Sequence, residues 1–251
     1  MHKNLLSLEG RVALVAGGTS GIGLAISKLF SDFGAFVAIN GSNPDRTNAV
    51  AKVVKNSIPM PFDVNDHTSA DEALDKIIGV YGRFDILVYC VGLRDRRTIA
   101  QIKAAEFANL LQTNTGSCYH LGRSAAARMS PNKKGRLIFL SSLASLRPFR
   151  GDPAYAASKA AIDSLVRSFS YEDGQQGITA NAIAPGFVMT ETNKKLASEP
   201  KIEEFVKTRI PARRWAQPEE IASVTLFLAS DAASYINGQV IVADAGLSAS
   251  L

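Results

Sequence analysis

The stretch Val12-Ala13-Leu14-Val15-Ala16-Gly17-Gly18-Thr19-Ser20-Gly21-Ile22-Gly23 decides the fold. Its first five residues, all apolar, read as a buried strand. Glycines follow at once, and behind them Ile22, Ile26, Leu29 and Phe30 recur on one helical face. Glycine lets a backbone turn tightly and approach a ligand closely. A helix start adds unpaired N–H groups and the positive end of a dipole. A plain tight turn is the bland reading of any glycine cluster. Its place between a strand and an amphipathic helix points instead to Gly17, Thr19, Ser20, Gly21, Ile22 and Gly23 as a cradle for a dinucleotide pyrophosphate. The spacing is G-x-x-x-G-x-G rather than G-x-G-x-x-G.

Outward from this unit the pattern repeats. Apolar runs at Phe36–Ile39, Ile86–Tyr89, Arg136–Leu140, Thr179–Ile183 and Val240–Val242 read as further strands, and Met60-Pro61-Phe62 as a weaker one because of its proline. Helical patterns lie between them: Leu74, Ile77 and Ile78 on one face, long runs near 103–129 and 155–171, and a helix opened by Pro218-Glu219-Glu220. Alternating strands and helices predict an α/β fold, a doubly wound, mostly parallel seven-stranded sheet with helices on both faces. Ligands bind such sheets beyond the carboxyl ends of the strands.

Composition agrees. The chain has 251 residues, 46% hydrophobic and 20% charged, with no linker or repeat, so one domain over 1–251 is the simplest organisation. The only cysteines, Cys90 and Cys118, sit in apolar stretches, which argues against a secreted disulfide framework and for a reducing, cytoplasmic compartment. No apolar run reaches the roughly 18–20 residues of a membrane span, and Met1-His2-Lys3-Asn4-Leu5-Leu6 lacks the apolar core of a signal peptide. The 28 basic and 23 acidic side chains are scattered, without interleaved aromatic residues, so an anionic small molecule is expected and nucleic acid is not. No metal is expected.

The end of the second strand reads on the cofactor. An acid there would hold the 2′-hydroxyl of NAD and repel the 2′-phosphate of NADP. Here the chain runs Ile39-Asn40-Gly41-Ser42-Asn43-Pro44-Asp45-Arg46, with no acid at the strand end. Ser42 and Asn43 could donate to a phosphate and Arg46 could pair with one, so NADP is favoured while NAD stays open. Asn43, Pro44 and Asp45 also read as an ordinary helix start.

Ser141-Ser142 closes the fifth strand run, and Tyr155-Ala156-Ala157-Ser158-Lys159 opens the next helix. Tyr155 and Lys159 are four apart and share a face. An ammonium near a phenol favours the phenolate. Such a tyrosine can exchange a proton with an alcohol or carbonyl oxygen, and a serine hydroxyl can hold the same oxygen. A nicotinamide would handle the hydride. Tyr-x-x-x-Lys alone is a common surface pair; what singles it out is the order of phosphate loop, strand-end serine and helical pair.

These residues resemble the short-chain dehydrogenase/reductase family, from about Leu8 to the carboxyl end. The resemblance rests on Gly17-x-x-x-Gly21-Ile22-Gly23, Asp63-Val64, Asn114, Ser142, Tyr155-x-x-x-Lys159 and Asn181-Ala182-Ile183-Ala184-Pro185-Gly186. It implies Tyr155 as general acid/base and Ser142 as the group that polarises the substrate oxygen. It implies that Lys159 assists the tyrosine and binds the nicotinamide ribose, and that Asn114 kinks its helix and helps hold a relay water. It also implies cofactor contacts from Asp63 and Val64 at the adenine, and from Gly92, Pro185, Gly186, Val188 and Thr190 near the nicotinamide. A homotetramer is implied too, in keeping with apolar positions on more than one face of the long helices. One departure stands out: Tyr89-Cys90-Val91-Gly92 replaces the family's Asn-Asn-Ala-Gly, so hydrogen bonding there must differ. Cys90 is expected to be a buried core residue rather than a reactive thiol.

Arginine suits planar anions. Arg94, Arg96, Arg97, Arg147 and Arg150 lie on the loops after the fourth and fifth strands, where one or two could meet an anionic substrate. A solvated surface or a subunit contact is the other reading for each. The polar stretch 190–215 reads as a lid over the substrate. Its Glu191–Leu196 and Pro211–Trp215 segments, with the tail Gly246–Leu251, resemble the gluconate 5-dehydrogenase subgroup, which acts on a sugar acid. The alternatives are a 3-oxoacyl carrier-protein reductase docking its acidic carrier through Lys133, Lys134 and Arg136, and a non-catalytic nucleotide-binding regulator. Against the first, Asp173-Gly174-Gln175-Gln176-Gly177 lacks the arginine those reductases often show.

Overall fold

Seven strands form one sheet in the order β3-β2-β1-β4-β5-β6-β7, every neighbouring pair parallel. They are β1 (Val12–Ala16), β2 (Phe36–Gly41), β3 (Ser57–Pro61), β4 (Ile86–Tyr89), β5 (Arg136–Leu140), β6 (Thr179–Pro185) and β7 (Val240–Ala243). The computed structural model describes residues 5–129, 134–149 and 151–249. Met1 to Asn4, Lys133, Arg150, Ser250 and Leu251, all used above, lie outside them.

Alternation along the strands builds a core on each face. Leu14, Leu87 and Leu137 point to one side, against α3 (His67–Tyr81), α5 (Ser117–Met129) and α6 (Pro153–Glu172). Val15, Val88 and Ile138 point to the other, against α1 (Gly21–Asp32) and α9 (Pro218–Ala229). Each such buried aliphatic side chain contributes about 1.5–3 kcal/mol. The order of strands reverses between β1 and β4, and their carboxyl ends diverge there into a crevice.

Local chemistry sets the helix starts. Asn43 caps α2 (Pro44–Val53) by accepting from Arg46 N at 2.8 Å, with Pro44 in the first turn. Gln217 and Glu220 form a capping box on α9. The proline-bearing strand runs from Ser57 to Pro61 instead of ending at Phe62; as an edge strand it tolerates Pro59 and Pro61. The run expected as one helix over 103–129 is broken: α4 (Ala104–Leu111) passes through a π-helical turn, Gln112–Gly116, into α5. The region 190–215 holds two short helices, α7 (Lys194–Ala197) and α8 (Pro200–Arg209). Among the described residues no helix is long and apolar enough to cross a membrane.

Candidate active site

The glycine turn is shaped for close approach. Gly17 has φ +76°, and a Cβ on Gly23 would stand 2.2 Å from the Gly17 carbonyl oxygen. Ser20 precedes α1 in an extended conformation and its side chain makes no capping bond. The first turn of α1 therefore faces the crevice uncapped by a side chain. Behind it, Asn40 is 1% exposed. Its Oδ1 accepts from Gly17 N, and its Nδ2 donates to the carbonyls of Met60 and Phe62 at 3.0 Å. The residue read above only as a missing acid thus staples β2 to the turn and to β3.

Two chambers, of about 310 and 440 Å³, meet at Gly17, Ser20, Cys90 and Gly92. The first continues past Ile22, Ser142, Tyr155 and Lys159 to Pro185, Gly186, Val188 and Thr190. The second continues past Thr19 and Ser42 to Asp63 and Val64. The structure thus gathers the residues assigned to a dinucleotide along one groove, with two exceptions. Asn43 and Arg46 line neither chamber. The Asn43 side chain is engaged as the α2 cap, and Arg46 stands 4.0 Å from Glu191, whose residue lines the opposite wall.

At the reacting end, Ser142 follows β5 in extended conformation and its Oγ accepts from Ala144 N at 3.1 Å. Lys159 is 3% exposed; its Nζ donates to the Leu140 carbonyl at 2.6 Å and stands 5.7 Å from the centre of the Tyr155 ring. Asn114 is fully buried in the π-helical turn. Its Oδ1 accepts from Leu93 N at 2.7 Å, while its Nδ2 donates to Leu93 O and to Ser158 Oγ. It pins the loop after β4 to α6. The Tyr89 departure is resolved beside it: the fully buried phenol donates to the Thr113 carbonyl at 2.9 Å, tying β4 to the same turn. Cys90 corrects an expectation. It is half-buried and lines the groove, though burial pushes its thiol up to about 12, far from a reactive thiolate.

A third cavity, of about 280 Å³, shares Ser142, Pro185, Gly186, Arg94 and Asn193 with the groove. Arg94 pairs with the buried Asp152 through both carboxylate oxygens and lies 5.0 Å over the Tyr155 ring. Arg96 lines the cavity, and among the described residues no carboxylate lies within ion-pair distance of it. Arg97 is occupied by Asp95 and Glu106, and Arg147 lines none of these spaces. Arg136, offered above as part of a docking patch, is 4% exposed and packed beside Arg11 and Asp231, out of reach of a carrier.

Two buried acids near the site escaped sequence reasoning. Asp152 is recognisable only through its partner on a distant loop. Asp163 is 6% exposed, with Oδ1 unpartnered, two helical turns from Tyr155 on α6. Burial pushes its carboxyl above the ordinary carboxylate range, against the pull of the Ser141 and Ser145 hydroxyls, Arg167 and Lys159. A carboxyl raised in the folded state stabilises the fold while protonated, fully so below its unfolded value of about 3.9, and that contribution is lost as pH rises through the folded value. Asp163→Asn removes this titration. Its melting temperature, relative to the native chain, is expected to be higher at pH 7 than at pH 4; an offset that does not change with pH would contradict a destabilised carboxylate.

Residues 16–248 match a family model described as enoyl-(acyl carrier protein) reductase. The chain is 31% identical over 255 residues to a gluconate 5-dehydrogenase of Gluconobacter oxydans, covering 100% of this chain and 99% of the relative. It is 34% identical to a 3-oxoacyl-[acyl-carrier-protein] reductase of Rickettsia conorii, covering 97% and 99%. Among solved structures, a gluconate 5-dehydrogenase from Burkholderia cenocepacia, in complex with NADP and tartrate, superposes with a TM-score of 0.95 at 28% identity, over 99% of each chain.

Proposed function

The chain belongs to the short-chain dehydrogenase/reductase family, and from that premise we propose that it interconverts an alcohol and a carbonyl, with NADP(H) ahead of NAD(H) as hydride partner. The observation that carries this reading is that Ser142, Tyr155 and Lys159 open onto the same groove as Gly17 and Gly21. The groove fits the cofactor: a side chain at position 23 would fill the turn that a pyrophosphate needs. Gly17, Ser20, Gly21 and Ile22 would hold the phosphates, Asp63 and Val64 the adenine, and Pro185, Gly186, Val188 and Thr190 the nicotinamide. Ser42, with no acid at the end of β2, suits a 2′-phosphate. When bound, the nicotinamide dinucleotide supplies or accepts the hydride.

Tyr155 gives its hydroxyl proton to the carbonyl oxygen as that oxygen becomes an alcohol, and takes it back in the reverse direction. Ser142 donates a hydrogen bond to the same oxygen. Lys159 spends one N–H on Leu140 and keeps its other donors for the groove. Asn114 holds the loop that carries Gly92 and Arg94. The stretch 190–215 acts as the lid, since Thr190, Asn193, Leu196 and Ile202 border the two cavities. Homotetramer formation is supported by apolar side chains left open on three separate elements: Tyr119 on α5, Tyr171 on α6 and Val242 on the edge strand β7. A cytoplasmic setting suits the two unpaired thiols.

The substrate is an anionic keto or hydroxy compound, held by Arg96. The solved neighbour's tartrate, a hydroxy acid, supports this chemistry. A charge-assisted hydrogen bond contributes about 1.5–3 kcal/mol. In NADPH oxidation assays Arg96→Ala is therefore expected to lower kcat/KM for a keto acid by about 10- to 100-fold and to leave its methyl ester within about threefold. Equal losses on acid and ester would remove the carboxylate from Arg96, and no turnover of any carbonyl would favour a nucleotide-binding regulator.

A further inference from the structure

We propose that the substrate carries an apolar body, an aryl or branched alkyl group, beside its anionic group, rather than a chain of hydroxyls. The inference rests on the oxidoreductase reading above and narrows its substrate. Three elements converge on the far wall of the cavity next to Ser142. Phe149 follows β5, Phe187 follows β6, and Trp215 ends the lid; all line the cavity and all are half-buried. Phe187 meets Phe149 edge-on at 6.0 Å and Trp215 edge-on at 5.0 Å. Phe205, on α8, backs the group at 5.6 Å from Phe187. Leu196 and Ile202 complete the wall from the lid. Rings locked edge to face offer a rigid apolar surface that loses little entropy when a ligand covers it.

The polar groups of the cavity lead to the same conclusion. Both carboxylate oxygens of Asp152 are taken by Arg94. Asn193 gives one amide N–H to the Val188 carbonyl. Among the described residues, the groups left for a ligand are Arg96, Ser142, the neighbouring Tyr155, the second terminal nitrogen of Arg94 and the amide oxygen of Asn193. That set satisfies one carboxylate, one reacting oxygen and about one further hydroxyl. Several further hydroxyls would meet phenyl and indole surface, and each buried without a partner costs roughly tenfold or more in affinity.

The test uses the full chain with NADPH. Two aryl keto acids, 2-oxo-4-phenylbutanoate and 4-oxo-4-phenylbutanoate, are compared with the polyhydroxylated 5-ketogluconate. At least one aryl acid is expected to exceed 5-ketogluconate in kcat/KM by tenfold or more. Phe187→Ala is expected to lower kcat/KM for that aryl acid about tenfold or more through lost apolar contact. Reduction of 5-ketogluconate as well as or better than both aryl acids would overturn the apolar substrate while leaving the oxidoreductase standing. Failure to reduce these acids or any simple ketone would overturn the oxidoreductase reading, and the inference with it.

Discussion

Replacing Tyr155 with phenylalanine is expected to lower kcat about a thousandfold while cofactor affinity stays within about threefold. A positioned general acid or base contributes roughly 10²- to 10⁴-fold, and the phenol is the only acidic hydrogen lost in this substitution. The rest of the assembly stays in place. The ring remains for Arg94, whose guanidinium lies 5.0 Å over it and is fixed by the buried Asp152. Lys159 keeps its hydrogen bond to Leu140, so its ammonium still faces the groove. The glycine turn belongs to β1 and α1, separate elements from α6. Steady-state NADPH oxidation gives the first quantity and fluorescence titration of NADPH the second. Turnover within tenfold of the native chain would exclude Tyr155 as the proton donor. Loss of cofactor affinity together with turnover would make it a binding residue instead.

The parts that sequence carried best are those set by local rules. Gly17 to Gly23 could be read because a turn between strand and helix restricts which residues fit, and Tyr155 and Lys159 because four residues make one helical turn. The alternation of apolar runs gave the sheet for the same reason. What stayed hidden depends on contacts between distant segments. Asn40 reads as a polar strand end until its amide is seen across β1 and β3. Tyr89 reads as a departure from a motif until its hydroxyl finds Thr113. Five loop arginines are indistinguishable in a string. In space Arg97 pairs with its neighbours Asp95 and Glu106 and Arg94 with the remote Asp152, while Arg96 lines the cavity and, among the described residues, makes no ion pair of its own. The stretch 190–215, proposed above as a lid, misled most. Its lysines and glutamates made it look polar throughout, yet Leu196, Ile202 and Phe205 sit one per turn on the inner side of two short helices.

Gly23→Ala tests the cradle itself. The added methyl would stand 2.2 Å from the Gly17 oxygen and 2.9 Å from its carbonyl carbon, too close for any real carbon. Neither side has room to yield. Gly17 is held through its N–H by Asn40 Oδ1, and Gly18 donates to Asn40 O at 2.8 Å. Asn40 is in turn anchored on Met60 and Phe62. The clash must therefore push α1 away from the turn and displace the N–H groups meant for the pyrophosphate. Overpacking of this kind costs about 1–3 kcal/mol. A domain of this size shifts its melting temperature by roughly 2–4 °C per kcal/mol, so a fall of several degrees is expected. NADPH affinity should fall at least about thirtyfold, since cradle and cofactor share the displaced atoms. Gly79→Ala is the matched control. It lies inside α3, where an added methyl meets nothing within 4 Å. There the lost chain flexibility should stabilise by about 0.4–1 kcal/mol and leave NADPH affinity unchanged. If Gly23→Ala behaved like Gly79→Ala in both melting and titration, the turn between β1 and α1 would not be the phosphate site.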